Sequence, residues 1–297
     1  MTATIRYTVE DPDQLDAVEE AFWSVGAMSV TLLDAGDEPL LEPGPGETPV
    51  WANSRLEALV PADVRVDDVA RALTAHGITV ATDDLEIYEL PDRDWERAWM
   101  DRYQPMRFGD SIWICPSHID PDPSWPLVIR LDPGLAFGSG THPTTALCLE
   151  WLDRQDLSNR DVIDYGCGSG VLAIVAALKG ARTVLAVDHD PQALEATRSN
   201  AETNGVADRI DVAMPRPVVD CGADIVVANI LAAPLIELAQ PLASALRPGG
   251  RLALSGILRQ QRDRVGEAYA QHLEAVDQQQ REDWMLLAFR QARSASS

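Results

Sequence analysis

The sequence V-I-D-Y-G-C-G-S-G-V-L-A, residues 162–173, places alternating glycines between two apolar runs. The first run predicts a buried strand that ends near Asp164, and the second predicts a helix that begins at once. The chain turns between them at Gly166, Gly168 and Gly170. Such a turn lets the backbone approach a ligand closely at the N-terminus of a helix. Residues 162–173 therefore predict a ligand-binding turn within an α/β fold.

A second acid lies at the offset expected of a nucleoside site. Asp188 ends the strand-like run V-L-A-V-D, 22 residues after Gly166, where an acid can accept hydrogen bonds from both ribose hydroxyls. A dinucleotide fingerprint requires Gly or Ala at position 171, but the residue there is Val171. Asp164 would repel a pyrophosphate and could hold a cationic amine. An adenosine that carries a positively charged amino-acid tail therefore fits better than NAD, and S-adenosylmethionine is such a molecule.

The residues before this turn predict a separate small domain and a linker. Residues 1–91 have the order β-α-β-β-α-β, which is typical of a ferredoxin-like α+β domain. The predicted strands span 4–10, 28–34, 55–60 and 84–90, and the predicted helices span 11–26 and 66–77. Trp95, Trp99 and Tyr103 follow at i+4 spacing, so residues 92–105 are expected to form a helical linker with an aromatic face.

Residues 106–297 alternate short apolar runs with helical segments. This alternation is typical of a doubly wound α/β domain with a mostly parallel sheet. The strand-like runs lie at 111–115, 127–131, 161–165, 183–187, 209–213, 223–228, 251–256 and 284–289. The segment P-L-I-E-L-A-Q-P-L-A-S-A-L-R, residues 234–247, is expected to be one of the helices between them.

The charge balance favours a basic protein partner over nucleic acid. The formal net charge is −23, from 47 Asp and Glu against 24 Lys and Arg, with no cluster of basic residues. A nucleic-acid backbone would be repelled by this charge, whereas a basic protein would be attracted to it. Acidity can also serve solubility or suit a salt-rich cytoplasm, and the sequence leaves that interpretation open.

Other composition features exclude several classes of site and location. The four cysteines form no C-x-x-C pair and the five histidines no H-E-x-x-H pattern, so no metal site is expected. No apolar run reaches the ~18 to 20 residues needed to span a bilayer, and the N-terminus does not resemble a signal peptide. The sequence predicts a cytoplasmic protein, expected to be a monomer, with no membrane contact.

Five motifs together carry a resemblance to a known family. The glycine turn and Asp188 resemble the first two motifs of class I S-adenosylmethionine-dependent methyltransferases. The wider set resembles the bacterial ribosomal protein L-eleven methyltransferases over nearly the full chain. The set comprises D-P-G-L-A-F-G-S-G-T-H-P-T-T (132–145), V-I-D-Y-G-C-G-S-G (162–170), D-H-D-P (188–191), N-I-L-A-A-P-L (229–235) and S-G-I-L (255–258).

The resemblance implies a fold, a donor and a substrate. The expected fold is a class I methyltransferase sheet, mostly parallel with one antiparallel strand, preceded by the ferredoxin-like domain. That domain would bind a ribosomal protein, and the catalytic domain would trimethylate its lysine side chains and N-terminal α-amine. The contacts to S-adenosylmethionine that the resemblance implies are Thr145, Gly166, Asp188 and Asn229. The glycine turn itself adds Asp164 and Gly168 as expected contacts. Asn229 is the single candidate catalytic residue, as the group that orients the amine.

The sequence is also compatible with several other functions. The chain could be a class I methyltransferase for another protein, for ribosomal RNA or for a small-molecule amine, or a non-catalytic nucleotide-binding module. His142 is expected to cap a helix rather than act as a base, and Cys167 to fill a tight space rather than act as a nucleophile. Trp284 is expected only to pack. The loop at 132–145 is expected to cover the donor.

Overall fold

The computed structural model describes residues 2–9, 11–36, 53–90, 103–132, 142–215 and 221–292. The chain divides into two compact units, Met1–Trp99 and Met100–Ser297. Most of the predicted linker and most of the loop before Thr145 lie outside the described residues. The predicted domain boundaries at 91 and 105 therefore stay a prediction. No helix among the described residues is long and apolar enough to cross a membrane.

The N-terminal unit has the predicted element order. Its elements are β1 (Thr2–Val9), α1 (Leu15–Ser24), β2 (Ser29–Asp34), β3 (Ser54–Pro61), α2 (Val66–Ala75) and β4 (Glu86–Leu90). The sheet order is β2-β3-β1-β4 and every pairing is antiparallel. In β3 buried residues alternate with partly exposed ones, because successive side chains of a strand point to opposite faces. The buried face packs on Phe22 of α1 and Leu73 of α2, in one apolar cluster.

The C-terminal unit contains the remaining elements. They are β5 (Met106–Phe108), β6 (Ile112–Cys115), β7 (Leu127–Arg130), α3 (Pro143–Asp153), β8 (Asp161–Tyr165), α4 (Val171–Leu178), β9 (Thr183–Val187), α5 (Pro191–Thr203), β10 (Ile210–Ala213), β11 (Ala223–Asn229), α6 (Ala232–Glu237), α7 (Ala239–Ser244), β12 (Leu246–Leu258), α8 (Arg262–Ala270), β13 (Glu274–Arg281) and β14 (Trp284–Arg290). Strands β5, β6 and β7 form a small sheet of their own.

The larger sheet has seven strands in the order β10-β9-β8-β11-β12-β14-β13. The first five are parallel to one another, and β14 is antiparallel to both of its neighbours. The predicted mostly parallel sheet with one antiparallel strand is therefore confirmed. Successive strands run outward from β8 in one direction, through β9 to β10, and then in the other, through β11 to β12. The gap between β8 and β11 is thus a topological switch point, where α/β sheets bind ligands.

Strands β5 and β13 and the division of one helix differ from the sequence prediction. The single helix expected over 234–247 is divided into α6 and α7 at Leu238, because Pro241 has no N–H to continue the helical ladder. The edge strand β13 was not predicted. Its sequence E-A-V-D-Q-Q-Q-R is mostly exposed, so main-chain pairing with β14 defines it rather than an apolar pattern. Its register shifts between Ala275 and Asp277.

A buried carboxylate joins the small sheet to the helices. Asp153, at the end of α3, accepts hydrogen bonds from the N–H groups of Asp110 at 2.6 Å and Ser111 at 3.1 Å, and from the Ser111 hydroxyl. Lys179 lies 3.2 Å from its Oδ1, and the two side chains are only 15% and 5% exposed. Burial alone would raise the pKa of Asp153, but these hydrogen bonds outweigh it, so the pKa is lowered.

Replacing Asp153 with alanine is expected to lower the free energy of unfolding by about 3–5 kcal/mol, because it removes the carboxylate paired with the largely buried Lys179 and the hydrogen bonds that this carboxylate accepts from Asp110 and Ser111. Urea denaturation measures the change. Asp110→Ala is the matched control, since it removes the same charge from a fully exposed side chain and should change stability by no more than about 0.5 kcal/mol. Equal effects of the two substitutions would contradict the structural role of Asp153.

Candidate functional site

Two adjoining cavities open at the carboxyl edge of the larger sheet. One, of about 470 Å³, is lined by His142, Thr144, Tyr165, Gly166, Asp188, His189, Pro215, Asn229, Ile230, Leu231, Pro234, Leu238, Gly256 and Trp284. The other, of about 160 Å³, is lined by Thr145, Gly166, Cys167, Gly168, Val171, Leu172, Asp188, His189, Asn229 and Ile230. Five residues line both cavities: Gly166, Asp188, His189, Asn229 and Ile230. Because the parallel strands end at one edge, residues distant in sequence meet there.

The glycine turn has a backbone that other residues rarely adopt. Gly166, Gly168 and Gly170 all have positive φ angles, of 79°, 54° and 80°. A Cβ on Gly166 would lie 2.2 Å from Cγ2 of Ile230, and one on Gly170 would lie 2.8 Å from Thr197. Both conformation and space therefore require glycine at these two positions. The turn leads into α4, whose residues 171–177 are all buried.

Asp188 connects the end of β9 to this turn. Its Oδ2 accepts a hydrogen bond from the N–H of Gly168 at 2.9 Å, and its Oδ1 accepts one from the N–H of Asp190 at 3.0 Å. The residue is 9% exposed and lines both cavities. A carboxylate offers about four lone-pair sites, so each oxygen can still accept from a ribose hydroxyl. The structure thus brings the predicted acid and the predicted turn together.

Asp164 lies beneath the turn rather than in the cavity walls. Its Oδ2 accepts a hydrogen bond from the N–H of Ala173 at 3.0 Å. It thereby caps the first turn of α4, where Gly170 has no side chain to do so. Its Oδ1 is buried without a hydrogen-bond partner among the described residues. A buried acceptor without a partner is costly. The predicted contact of Asp164 with the donor stays a prediction.

Burial gives Asp164 an unusual titration. Burial raises its pKa to about 7, the hydrogen bond from Ala173 opposes that shift, and the nearby Asp188 adds to it. The folded protein therefore holds a proton on Asp164 at pH values where the unfolded chain, with a pKa near 3.8, has lost it. Stability contributed by this group falls as the pH rises through that window.

Wild-type protein is expected to lose stability relative to Asp164→Asn as the pH rises from about 4 to about 7, because only the wild type must lose this buried proton. Urea unfolding of both proteins at about pH 5 and about pH 8 measures the difference. A difference in the free energy of unfolding that stays constant with pH would contradict the raised pKa.

Thr145 and Asn229 meet where the two cavities adjoin. The Asn229 amide Nδ2 donates a hydrogen bond to Oγ1 of Thr145 at 3.3 Å. Thr145 belongs to the first turn of α3, which His142 caps by accepting from the N–H of Thr144 at 3.3 Å. The predicted capping role of His142 is therefore confirmed. All six predicted cofactor residues lie at this edge of the sheet, and all but Asp164 line a cavity.

Part of the larger cavity was not predicted. Ile230, Leu231 and Gly256 lie in the quoted motifs but were not named as site residues, and Trp284 was expected only to pack. Trp284 reaches the cavity because β14 is antiparallel, so the start of this strand lies where its parallel neighbours end. The antiparallel direction of this strand was the signal that could have pointed to Trp284. Cys167 matches its interpretation as a packing residue, since it is buried and its pKa is raised to about 12, mainly by burial.

Comparisons with known proteins assign the family. A family model described as ribosomal protein L11 methyltransferase (PrmA) matches residues 4–292. The ribosomal protein L11 methyltransferase of Hahella chejuensis is 50% identical over 274 residues, which cover 92% of this chain and 93% of the relative. The one from Methylococcus capsulatus is 50% identical over 279 residues, covering 94% and 95%.

A solved structure agrees with the sequence relatives. The ribosomal protein L11 methylase of Lactobacillus delbrueckii subsp. bulgaricus is 33% identical with a TM-score of 0.58 and covers 64% of this chain and 100% of its own. The resemblance inferred from the five motifs is confirmed. The chain belongs to the ribosomal protein L11 methyltransferase family and is an S-adenosylmethionine-dependent methyltransferase.

Proposed function

We propose that this chain trimethylates lysine side chains and the N-terminal α-amine of ribosomal protein L11. The observation that carries the proposal is the position of Asn229. It lines both the smaller cavity, formed by the glycine turn, and the larger cavity, whose other walls include Ile230, Leu231 and Trp284. A donor that fills the first and extends past Asp188, which lines both cavities, would meet an amine in the rest of the second at this residue.

The residues around the smaller cavity suit S-adenosylmethionine. Asp188 would accept hydrogen bonds from the ribose hydroxyls, and the glycine turn would admit the amino-acid portion close to the backbone. Thr145 would contact the donor from the first turn of α3. When bound, S-adenosylmethionine supplies a methyl group activated by a positively charged sulfur.

The larger cavity favours an uncharged amine. A lysine has an ordinary pKa near 10.4 and an α-amine near 8, so either must lose a proton before it attacks a methyl group. Apolar surroundings lower the pKa of an amine by desolvation, and solvent can then take the proton without a dedicated base. Because Nδ2 of Asn229 is bonded to Thr145, its Oδ1 would accept a hydrogen bond from the amine. The chain's main contribution is then alignment of the two reactants.

The acidic chain suits a basic protein substrate. We assign recognition of that substrate to the ferredoxin-like unit and propose that the protein acts as a monomer in the cytoplasm, without direct contact to nucleic acid. The net charge of −23 would accelerate approach of a basic partner, so the association rate should fall as ionic strength rises. An association rate that does not change with ionic strength would indicate that the acidic charge serves solubility instead.

Transfer of radiolabelled methyl groups into purified ribosomal protein L11, followed by mass spectrometry of the product, tests the proposal. Label in lysine and α-amine positions is expected, with none from Asn229→Ala at matched protein concentration. An acetylated lysine amide is the parallel substrate. Label only in that compound would favour a small-molecule amine methyltransferase. Donor binding without transfer to either substrate would favour a non-catalytic module.

A further inference from the structure

One corner of the larger cavity is aromatic. His142 and Trp284, here called the aromatic corner, lie with ring centroids 4.8 Å apart and planes at 70°. Both residues line the cavity. His142 is held by its hydrogen bond from Thr144 and its 2.7 Å contact with the Thr144 hydroxyl. Trp284 is held because it begins β14 and pairs with both Leu258 and Arg281. The corner is thus fixed by two elements distant in sequence.

The sheet order separates Trp284 from the donor residues that follow β8 and β9. Along the carboxyl edge the strands carry Asp188 after β9, Gly166 after β8, Asn229 at the end of β11, Gly256 in β12 and Trp284 at the start of β14. Neighbouring strands are about 4.8 Å apart, so the strand of Trp284 lies roughly 10 Å from that of Asn229. Asn229 therefore lies between the donor residues and Trp284. The indole side chain can span much of the distance between the strands of Trp284 and Asn229.

Repeated methylation changes what the amine needs from its surroundings. In each transfer a nitrogen–carbon bond forms as the sulfur–carbon bond breaks, S-adenosylhomocysteine leaves, and the positive charge passes to the nitrogen. That nitrogen must lose a proton to solvent before the next transfer. Each added methyl also removes one N–H and enlarges the apolar surface around the charge. An aromatic face attracts such a methylated ammonium without requiring an N–H donor.

The charge pattern of the cavity is consistent with this role. Among the described residues that line the larger cavity, Asp188 is the only carboxylate, and it is held by backbone N–H groups on the donor side. A carboxylate beside the amine would keep it protonated and favour the unmethylated form. The aromatic corner instead offers a π face and apolar contact, which favour the more methylated forms.

We propose that Trp284 determines how many methyl groups are added, by receiving the methylated nitrogen on its indole face so that second and third transfers follow the first. This inference rests on the proposed amine methylation and adds a residue that selects the methylation state. Asn229 serves every transfer, whereas Trp284 matters most for the later ones. The contact with the His142 ring helps to fix the indole plane.

Trp284→Leu and Trp284→Phe form the matched pair that tests this role, because leucine keeps apolar volume and phenylalanine keeps an aromatic face. Mass spectrometry during methylation of intact ribosomal protein L11 gives the rate of each transfer. In Trp284→Leu the ratio of the third rate to the first is expected to fall about five- to tenfold, with mono- and dimethyl products accumulating. Trp284→Phe should retain most of the wild-type ratio. Unchanged affinity for S-adenosylhomocysteine in calorimetry would show that the donor site is intact.

A role in packing alone would slow all transfers equally, and an unchanged product ratio in Trp284→Leu would therefore overturn the proposal. A second measurement does not depend on L11 being the substrate. The protein loaded with S-adenosylhomocysteine should bind an acetylated trimethyllysine amide more tightly than the lysine amide, and Trp284→Leu should remove that preference. If wild type shows the preference but does not methylate L11, the proposed substrate fails while the role of Trp284 stands. If wild type shows no preference, the role of Trp284 fails.

Discussion

Asp188→Ala is expected to lower the affinity for S-adenosylhomocysteine at least about 100-fold and to abolish methyl transfer. Hydrogen bonds to a charged group contribute about 1.5–3 kcal/mol each, and the substitution removes the two that the ribose hydroxyls would make. It also removes the acceptor that holds the N–H of Gly168 at 2.9 Å. The loss therefore combines missing ligand contacts with a less ordered glycine turn. Isothermal titration calorimetry measures the affinity.

Asp190→Ala is the matched control for this experiment. It removes the same charge two residues later, from a side chain that caps α5 and lines neither cavity. Its affinity should stay within about threefold of wild type, although loss of the cap will cost about 1 kcal/mol of stability. Unchanged affinity in Asp188→Ala, or an equal loss in both variants, would contradict the placement of the donor at Asp188.

Gly166→Ala and Gly256→Ala are each expected to cost roughly 2–5 kcal/mol of stability, from left-handed backbone strain and from overpacking. Both glycines have positive φ, of 79° and 84°, and both face Ile230. A Cβ on Gly166 would lie 2.2 Å from the Ile230 side chain, whereas a Cβ on Gly256 would lie 2.2 Å from the Ile230 carbonyl oxygen. Ile230 is therefore held between two positions that only glycine fits.

Adding Ile230→Ala should distinguish the clash at Gly166 from the clash at Gly256. It removes the Cγ2 that the new methyl group at position 166 would strike, so Gly166→Ala/Ile230→Ala should recover stability, with a coupling of about 1–3 kcal/mol. The clash at Gly256 is with the main chain, which Ile230→Ala leaves in place, so that pair should show little recovery. Double-mutant cycles by urea denaturation provide both couplings. Equal couplings would contradict the two modes of contact.

Local spacing was sufficient to predict that the glycine turn and Asp188 lie together. The strand, turn and helix around Gly166 are contiguous, and Asp188 follows one β-α unit later, so their meeting depends on a single right-handed crossover. The β-α-β-β-α-β order of the N-terminal unit was predictable for the same reason, because each of its elements carries its own apolar period. The family resemblance added Asn229, which the local pattern alone did not identify.

The aromatic side of the site could not be predicted in this way. Trp284 reaches the cavity through the antiparallel pairing of β14 with β12, and Gly256 through the parallel pairing of β12 with β11, and both pairings depend on contacts between distant residues. The buried position of Asp164 beneath the turn could not be predicted either, because the sequence shows that an acid ends the strand but not which way its side chain points. Strand β13 carries no apolar alternation, so only its pairing with β14 reveals it.

That last strand has a consequence for the behaviour of the protein at high concentration. An edge strand offers a row of unpaired main-chain groups to any other strand, and natural sheets protect such edges with charges and bulges. In β13 the exposed side chains include Glu274 and Asp277, and the register shift between Ala275 and Asp277 leaves Val276 without a partner opposite it on β14. The β13 edge of this sheet is therefore a poor template for aggregation.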